Sequence, residues 1–98
     1  MFSHGRTWWH PLVSIRVLQN QSGITHIGFT VSKKIGKAVV RNRVRRRFRE
    51  IVRQLDLRTN VDIVISARPP IMESSFQDTR EAILSVFDRA RLFAKKAG

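Results

Sequence analysis

Cysteine is absent from the 98-residue chain. That excludes disulfide staples and thiolate-held zinc, and it suits a cytoplasmic protein. No apolar run approaches the roughly 20 residues needed to span a bilayer, and no apolar region follows a basic start as in a secretory signal. A membrane is therefore not the expected partner. Acids are scarce, at seven Asp plus Glu. A protein nuclease would need clustered carboxylates to hold metals, or a histidine pair for general acid–base work. Asp56, Asp62, Glu73, Asp78, Glu81 and Asp88 are scattered along the chain, and several suit helix ends or loops. His4, His10 and His26 have no metal-ligand spacing. The chain is expected to hold neither a catalytic residue nor a metal of its own.

What is abundant is positive charge. Nineteen Lys plus Arg give a formal net charge of +12 and a pI near 11.9. Such a surplus repels itself in the compact state, and a polyanionic partner is the usual reason it is tolerated. Fourteen of the nineteen cations are arginine, which grips phosphate bidentately and stacks on bases. Nucleic acid is the leading partner. The chain is 42% hydrophobic, with six Phe and two Trp, too apolar for a disordered basic tail. Residues 1–98 make one domain with a single thin core, because a chain this short buries only about two-thirds of its unfolded surface.

Apolar residues alternate with polar ones over Pro11–Leu18 and Ile24–Val31, the period of half-buried strands. Between them Gln19–Gly23 reads as a hairpin loop. His26 falls on the polar side of its strand and is expected to be exposed. Val61–Ala67 is a β-branched run stopped by Arg68-Pro69-Pro70, and Arg6–Trp9 adds a possible short strand. Trp8 and Trp9 suit base stacking and edge packing equally. Two stretches have helical spacing. Val40, Val44, Phe48, Ile51, Val52 and Leu55 recur by threes and fours. A second helix opens at Ser75, with Asp78 in capping-box position, and sets Phe76, Ile83, Phe87, Ala90 and Ala94 in one stripe. The order strand, strand, helix, strand, helix describes an α+β, two-layer α-β sandwich. Ile24–Val31 and Val61–Ala67 flank a helix and can be parallel; the general rule makes such a crossover right-handed.

Ten of the nineteen cations lie between Lys33 and Arg53, against one acid, Glu50. At about 100° per residue, the apolar side chains of Val40–Leu55 fill one arc. Asn42, Arg43, Arg45, Arg46, Arg49 and Arg53 face away from it, while Arg41 and Arg47 flank it with stems able to cover the core edge. Solvated helix faces usually mix charges, since opposite charges four residues apart stabilise a helix by tenths of a kcal/mol and like charges cost as much. Arg41, Arg45, Arg49 and Arg53 repel in series. Such a face calls for an external anion. Upstream, Ser32-Lys33-Lys34-Ile35-Gly36-Lys37 forms a basic loop whose glycine allows close backbone approach, though it lacks the Walker spacing of a P-loop.

The run Phe29-Thr30-Val31-Ser32-Lys33-Lys34-Ile35-Gly36-Lys37-Ala38-Val39-Val40-Arg41-Asn42-Arg43-Val44-Arg45-Arg46 closely resembles the signature of the bacterial ribonuclease P protein subunit. The order of elements agrees over nearly the whole chain. The resemblance implies a small mixed sheet whose crossover around the basic helix is left-handed, overruling the general rule. It implies that Lys33, Lys34, Lys37, Arg41, Asn42, Arg43, Arg45, Arg46 and Arg49 contact the catalytic RNA, and the same face extends to Arg53. It further implies a separate cleft for the single-stranded 5′ leader of precursor tRNA, with Phe2 and Arg16 as candidate contacts. Magnesium would be bound mainly by the RNA, which performs the hydrolysis, and no obligate protein partner is evident. Members usually carry an N-terminal helix before the region matched by Phe2-Ser3-His4-Gly5, and most of that helix is missing here. Two other readings share the basic face: a ribosomal protein or RNA chaperone of similar fold, and a DNA-binding module using Val40–Leu55 as a recognition helix.

Overall fold

The computed structural model describes residues 5–94. Four strands, β1 (Arg6–Trp9), β2 (Val13–Gln19), β3 (Thr25–Thr30) and β4 (Val61–Ala67), form one sheet, joined by helices α1 (Ala38–Arg53) and α2 (Phe76–Arg89). The strand order is β1-β2-β4-β3. β4 lies between β2, to which it is antiparallel, and β3, to which it is parallel. The α+β sandwich with a mixed sheet is therefore as expected.

The pairing of β2 with β3 is not. Residues 19–23 do not close a hairpin, because β4 inserts between the two strands and takes up the hydrogen-bonding edge of each. The true hairpin is β1–β2, turned at His10–Leu12, where His10 N donates to Val13 O at 2.8 Å and Leu12 N to His10 Nδ1 at 3.0 Å. β4 is the apolar run best suited to a central position, with Val61, Ile63 and Ile65 all fully buried.

Alternation sorts the sheet into two faces. Val13, Ile15, Val17, Ile27, Phe29, Val61, Ile63 and Ile65 point to the helices, while Arg16, Leu18, His26, Gly28, Thr30 and Val64 point the other way. α1 lays Val44, Phe48, Ile51 and Val52 on the apolar face, and α2 adds Ala82, Ile83, Val86 and Phe87. Phe48 is fully buried and meets Phe29 of β3 at 5.7 Å between ring centroids. Burial of such a side chain stabilises by about 1.5–3 kcal/mol.

α1 begins two residues before the expected Val40, because Lys37 adopts an extended cap conformation and Arg41 N already donates to Lys37 O. α2 starts as anticipated: Asp78 N donates to Ser75 Oγ at 3.0 Å and Ser75 N to an Asp78 carboxylate oxygen at 3.3 Å, a complete capping box. Its far end differs from expectation. The helix stops at Arg89, so Ala94 lies beyond it, and Phe76 in the first turn is 39% exposed. The buried stripe runs instead through Thr79, whose hydroxyl is satisfied by Ser75 O and Ser74 Oγ.

Candidate nucleic-acid interface

The link between β3 and α1 is pinned from inside. Ile35 is fully buried within the short 3-10 turn Lys33–Ile35, and that anchor leaves Lys33, Lys34 and Lys37 exposed around it. Gly36 adopts φ 149°, a conformation open chiefly to glycine. A Cβ there would meet Val40 Cβ at 3.3 Å and Met72 Sδ at 3.4 Å, so the tight approach of loop, helix and the Pro69–Glu73 turn depends on the missing side chain.

α1 then exposes Asn42, Arg43, Arg46, Arg49 and Arg53 to solvent, with Arg45 half-exposed and held by its hydrogen bond to Asn42 Oδ1 at 3.2 Å. The flanking arginines are half-buried. Arg41 Nε donates to Gly36 O at 3.2 Å and an Arg47 guanidinium nitrogen to Ser74 O at 3.2 Å. These two stems lie along the core edge and tie the helix to its neighbouring turns. Arg47 is thus a tether, a role that only the fold discloses. Among the described residues, one carboxylate reaches this face: Glu50 Oε1, 2.8 Å from Arg53 and exposed enough to contribute little. Among the described residues, the other cations of α1 and of the preceding loop have no carboxylate within 4.0 Å.

The open face of the sheet is a second surface. Arg16 lies at its middle, in register with Thr7 on one side and Val64 and then Gly28 on the other. Trp9 is 60% exposed beside it, with the Arg68 guanidinium 5.4 Å from its ring centroid. Leu18 and Val64 are also exposed. This row of an aromatic, aliphatic residues and arginines can stack bases and hold phosphate. The sequence offered Arg16 as a contact and left Trp9 open between base stacking and edge packing; Arg68 and Val64 carry no signal of their own, because strand register decides which side they take. Trp8, one residue away, points to the helices and is half-buried. Phe2 lies outside the described residues.

At the edge of the open face His26 Nδ1 lies 2.9 Å from Asp62 Oδ1, which also accepts from Asn20 Nδ2 at 2.7 Å. Asn20 first, and then His26, hold the Asp62 carboxyl below its ordinary range. One carboxylate and one imidazole are thus paired on the sheet surface. Among the described residues no group of three or more His, Cys, Asp or Glu is placed to hold a metal ion. No helix there is long and apolar enough to cross a membrane.

Comparison with known proteins follows the same lines. The family model described as Ribonuclease P matches residues 1–91. The ribonuclease P protein component of Thermoanaerobacter sp. (strain X514) is 36% identical over 96 residues, covering 96% of this chain and 83% of that protein. That of Symbiobacterium thermophilum is 36% identical, over 98% of this chain and 86% of its own length. Among solved structures, the RNase P protein of Staphylococcus aureus superposes with a TM-score of 0.81 at 26% identity, covering 92% of this chain and 84% of that one. The RNase P protein of Thermotoga maritima gives 0.77 at 27%, over 87% and 83%.

Proposed function

Because the chain belongs to the bacterial ribonuclease P protein family, we propose that it binds the catalytic RNA of that ribonucleoprotein through α1 and the preceding loop, and assists removal of the 5′ leader from precursor tRNA. The observation that carries this reading is the charge imbalance of α1: seven arginines on one 16-residue helix, of which, among the described residues, only Arg53 meets a carboxylate. RNA phosphates supply the missing counter-charge. Lys33, Lys34, Lys37, Arg41, Asn42, Arg43, Arg45, Arg46, Arg49 and Arg53 form the contact surface, and each phosphate neutralised releases condensed counterions.

The open sheet face, with Arg16 at its centre and Trp9 beside it, takes the single-stranded leader. Bases lie on Trp9 and the exposed aliphatic residues while Arg16 holds phosphate. Stacking on an aromatic ring is worth about 1–3 kcal/mol per base and tolerates any sequence, which fits a leader that varies from one transcript to the next. Magnesium belongs to the RNA in this reading, and no step is assigned to a metal on this chain, whose acids are dispersed. The protein's own contribution is positional and electrostatic: its cations lower phosphate repulsion where substrate and RNA meet, so less magnesium is needed.

The test is reconstitution with a ribonuclease P RNA at low magnesium. Stimulated 5′ maturation of precursor tRNA is the expected result. Tight RNA binding without stimulation would instead indicate a chaperone or ribosomal role.

A further inference from the structure

Seven described cations lie outside Lys33–Arg53, and four of them, Arg6, Arg58, Arg89 and Arg91, line a single cavity of about 670 Å³ with Trp8 and Val17. It opens at the β1 edge of the sheet under the end of α2, whereas α1 packs through Phe48 over β3 at the opposite edge. Its volume falls within the roughly 300–1,000 Å³ typical of ligand sites. Asp56 and Asp88 line the adjoining cavity, yet neither carboxylate lies within 4.0 Å of an arginine guanidinium.

The frame around the cavity is firm. Leu57 bridges to Phe93, Arg58 N donates to Leu92 O at 2.8 Å and Ala94 N to Asp56 O at 2.9 Å. Backbone tethering explains part of the arginine cluster: Arg89 donates to Trp9 O of β1, and Arg58 reaches Arg91 O, just past the end of α2, at 3.5 Å. It does not explain Arg6, which lies 5.9 Å from the Trp8 ring centroid. Nor does it explain Arg91. α2 ends in a Schellman turn, with Leu92 N donating to Phe87 O and Arg91 N to Asp88 O, both at 3.0 Å. Arg91 therefore occupies the position where glycine is the usual choice, and adopts φ 56°. A positive-φ backbone at a position where glycine would be relaxed, with its arginine lining one cavity beside three others, points to a ligand.

We propose that this cavity is a second phosphate-binding site, which grips the backbone of the RNA at the sheet edge remote from α1; the proposal rests on the RNA-binding reading above. The chain then touches its RNA at two separated places, and Arg6, Arg58, Arg89 and Arg91 are contacts of the second.

The experiment measures binding of a ribonuclease P RNA transcript to the full chain across a salt series, for Arg58→Ala, Arg91→Gly and, on α1, Arg46→Ala. Each cavity variant is expected to weaken binding and to lower the slope of log affinity against log salt by roughly 0.9, as for one lost phosphate contact. Arg91→Gly is the discriminating variant, because glycine suits the turn: its melting temperature should hold or rise while its RNA affinity falls. Unchanged slopes in both cavity variants, beside a reduced slope in Arg46→Ala, would overturn the second site and leave the first intact. If Arg46→Ala is also unchanged, the RNA-binding reading itself fails. A parallel melt with inorganic pyrophosphate separates the sources of phosphate: stabilisation by pyrophosphate that these arginines mediate, with RNA slopes unchanged, would make this a site for free phosphates and sink the proposal.

Discussion

Helix α2 carries three acids and two cations over its 14 residues; α1 carries one acid and seven cations over its 16. Both lie on the same face of the same sheet, and each buries a stripe of four or five side chains. Their ends differ as much as their surfaces. α2 opens with a reciprocal capping box and an acid in the first turn, where the helix dipole favours negative charge. α1 opens on Lys37 with no side-chain cap and no acid in its first turn, then adds Arg41 at the same positive end. α2 is consistent by itself, whereas α1 is held by packing and is electrostatically incomplete. The contrast separates residues that keep the chain folded from residues kept for a partner.

Four substitutions sharpen that contrast. The largest effect is expected from Phe48→Ala, which empties the core beneath α1 and should cost about 3–5 kcal/mol, read by denaturant unfolding. A loss under about 1 kcal/mol would mean that α1 is not held by its buried side, against the burial argument. Ser75→Ala should cost about 1 kcal/mol through loss of the α2 cap, with RNA affinity unchanged in a binding titration. Lys37→Ser should do the reverse, adding about 0.5–1 kcal/mol by giving α1 a cap while weakening RNA binding. If Lys37→Ser improved both, the incompleteness of α1 would have no functional meaning.

The smallest effect concerns pH. Burial, and next the Arg89 guanidinium, hold the His10 imidazole below its ordinary value of 6.5. Its Nδ1 accepts from Leu12 N, so the neutral ring is the one the β1–β2 turn uses. The stabilisation is complete above pH 6.5 and is lost as pH falls through the lower folded-state value. His10→Asn, which keeps a side-chain acceptor without titrating, should flatten the decline in melting temperature between about pH 7 and about pH 5. An equal decline in both proteins would remove His10 from the account.

Much of this was legible in the residues. The strand periods, the Ser75–Asp78 box and the segregated faces of α1 are local patterns, and each appears within a residue or two of its expected place. The run from Phe29 to Arg46 was long enough to mark the family. What escaped was non-local. No pattern in β2 or β3 says that β4 will insert between them, because that choice is made by the burial available to a β-branched run from a later part of the chain. The cavity at the β1 edge draws on four distant segments, and its arginines come from three of them. Arg91 at a glycine position is visible only once the end of α2 is known.

The outward face of α1 as a phosphate-binding surface is tested most directly by the salt dependence of RNA binding by Arg43→Ala, Arg46→Ala and Arg49→Ala. Each variant should keep its melting temperature, or gain slightly from relieved repulsion, and lower the salt slope by roughly 0.9. Slopes equal to that of the unaltered chain in all three would contradict it.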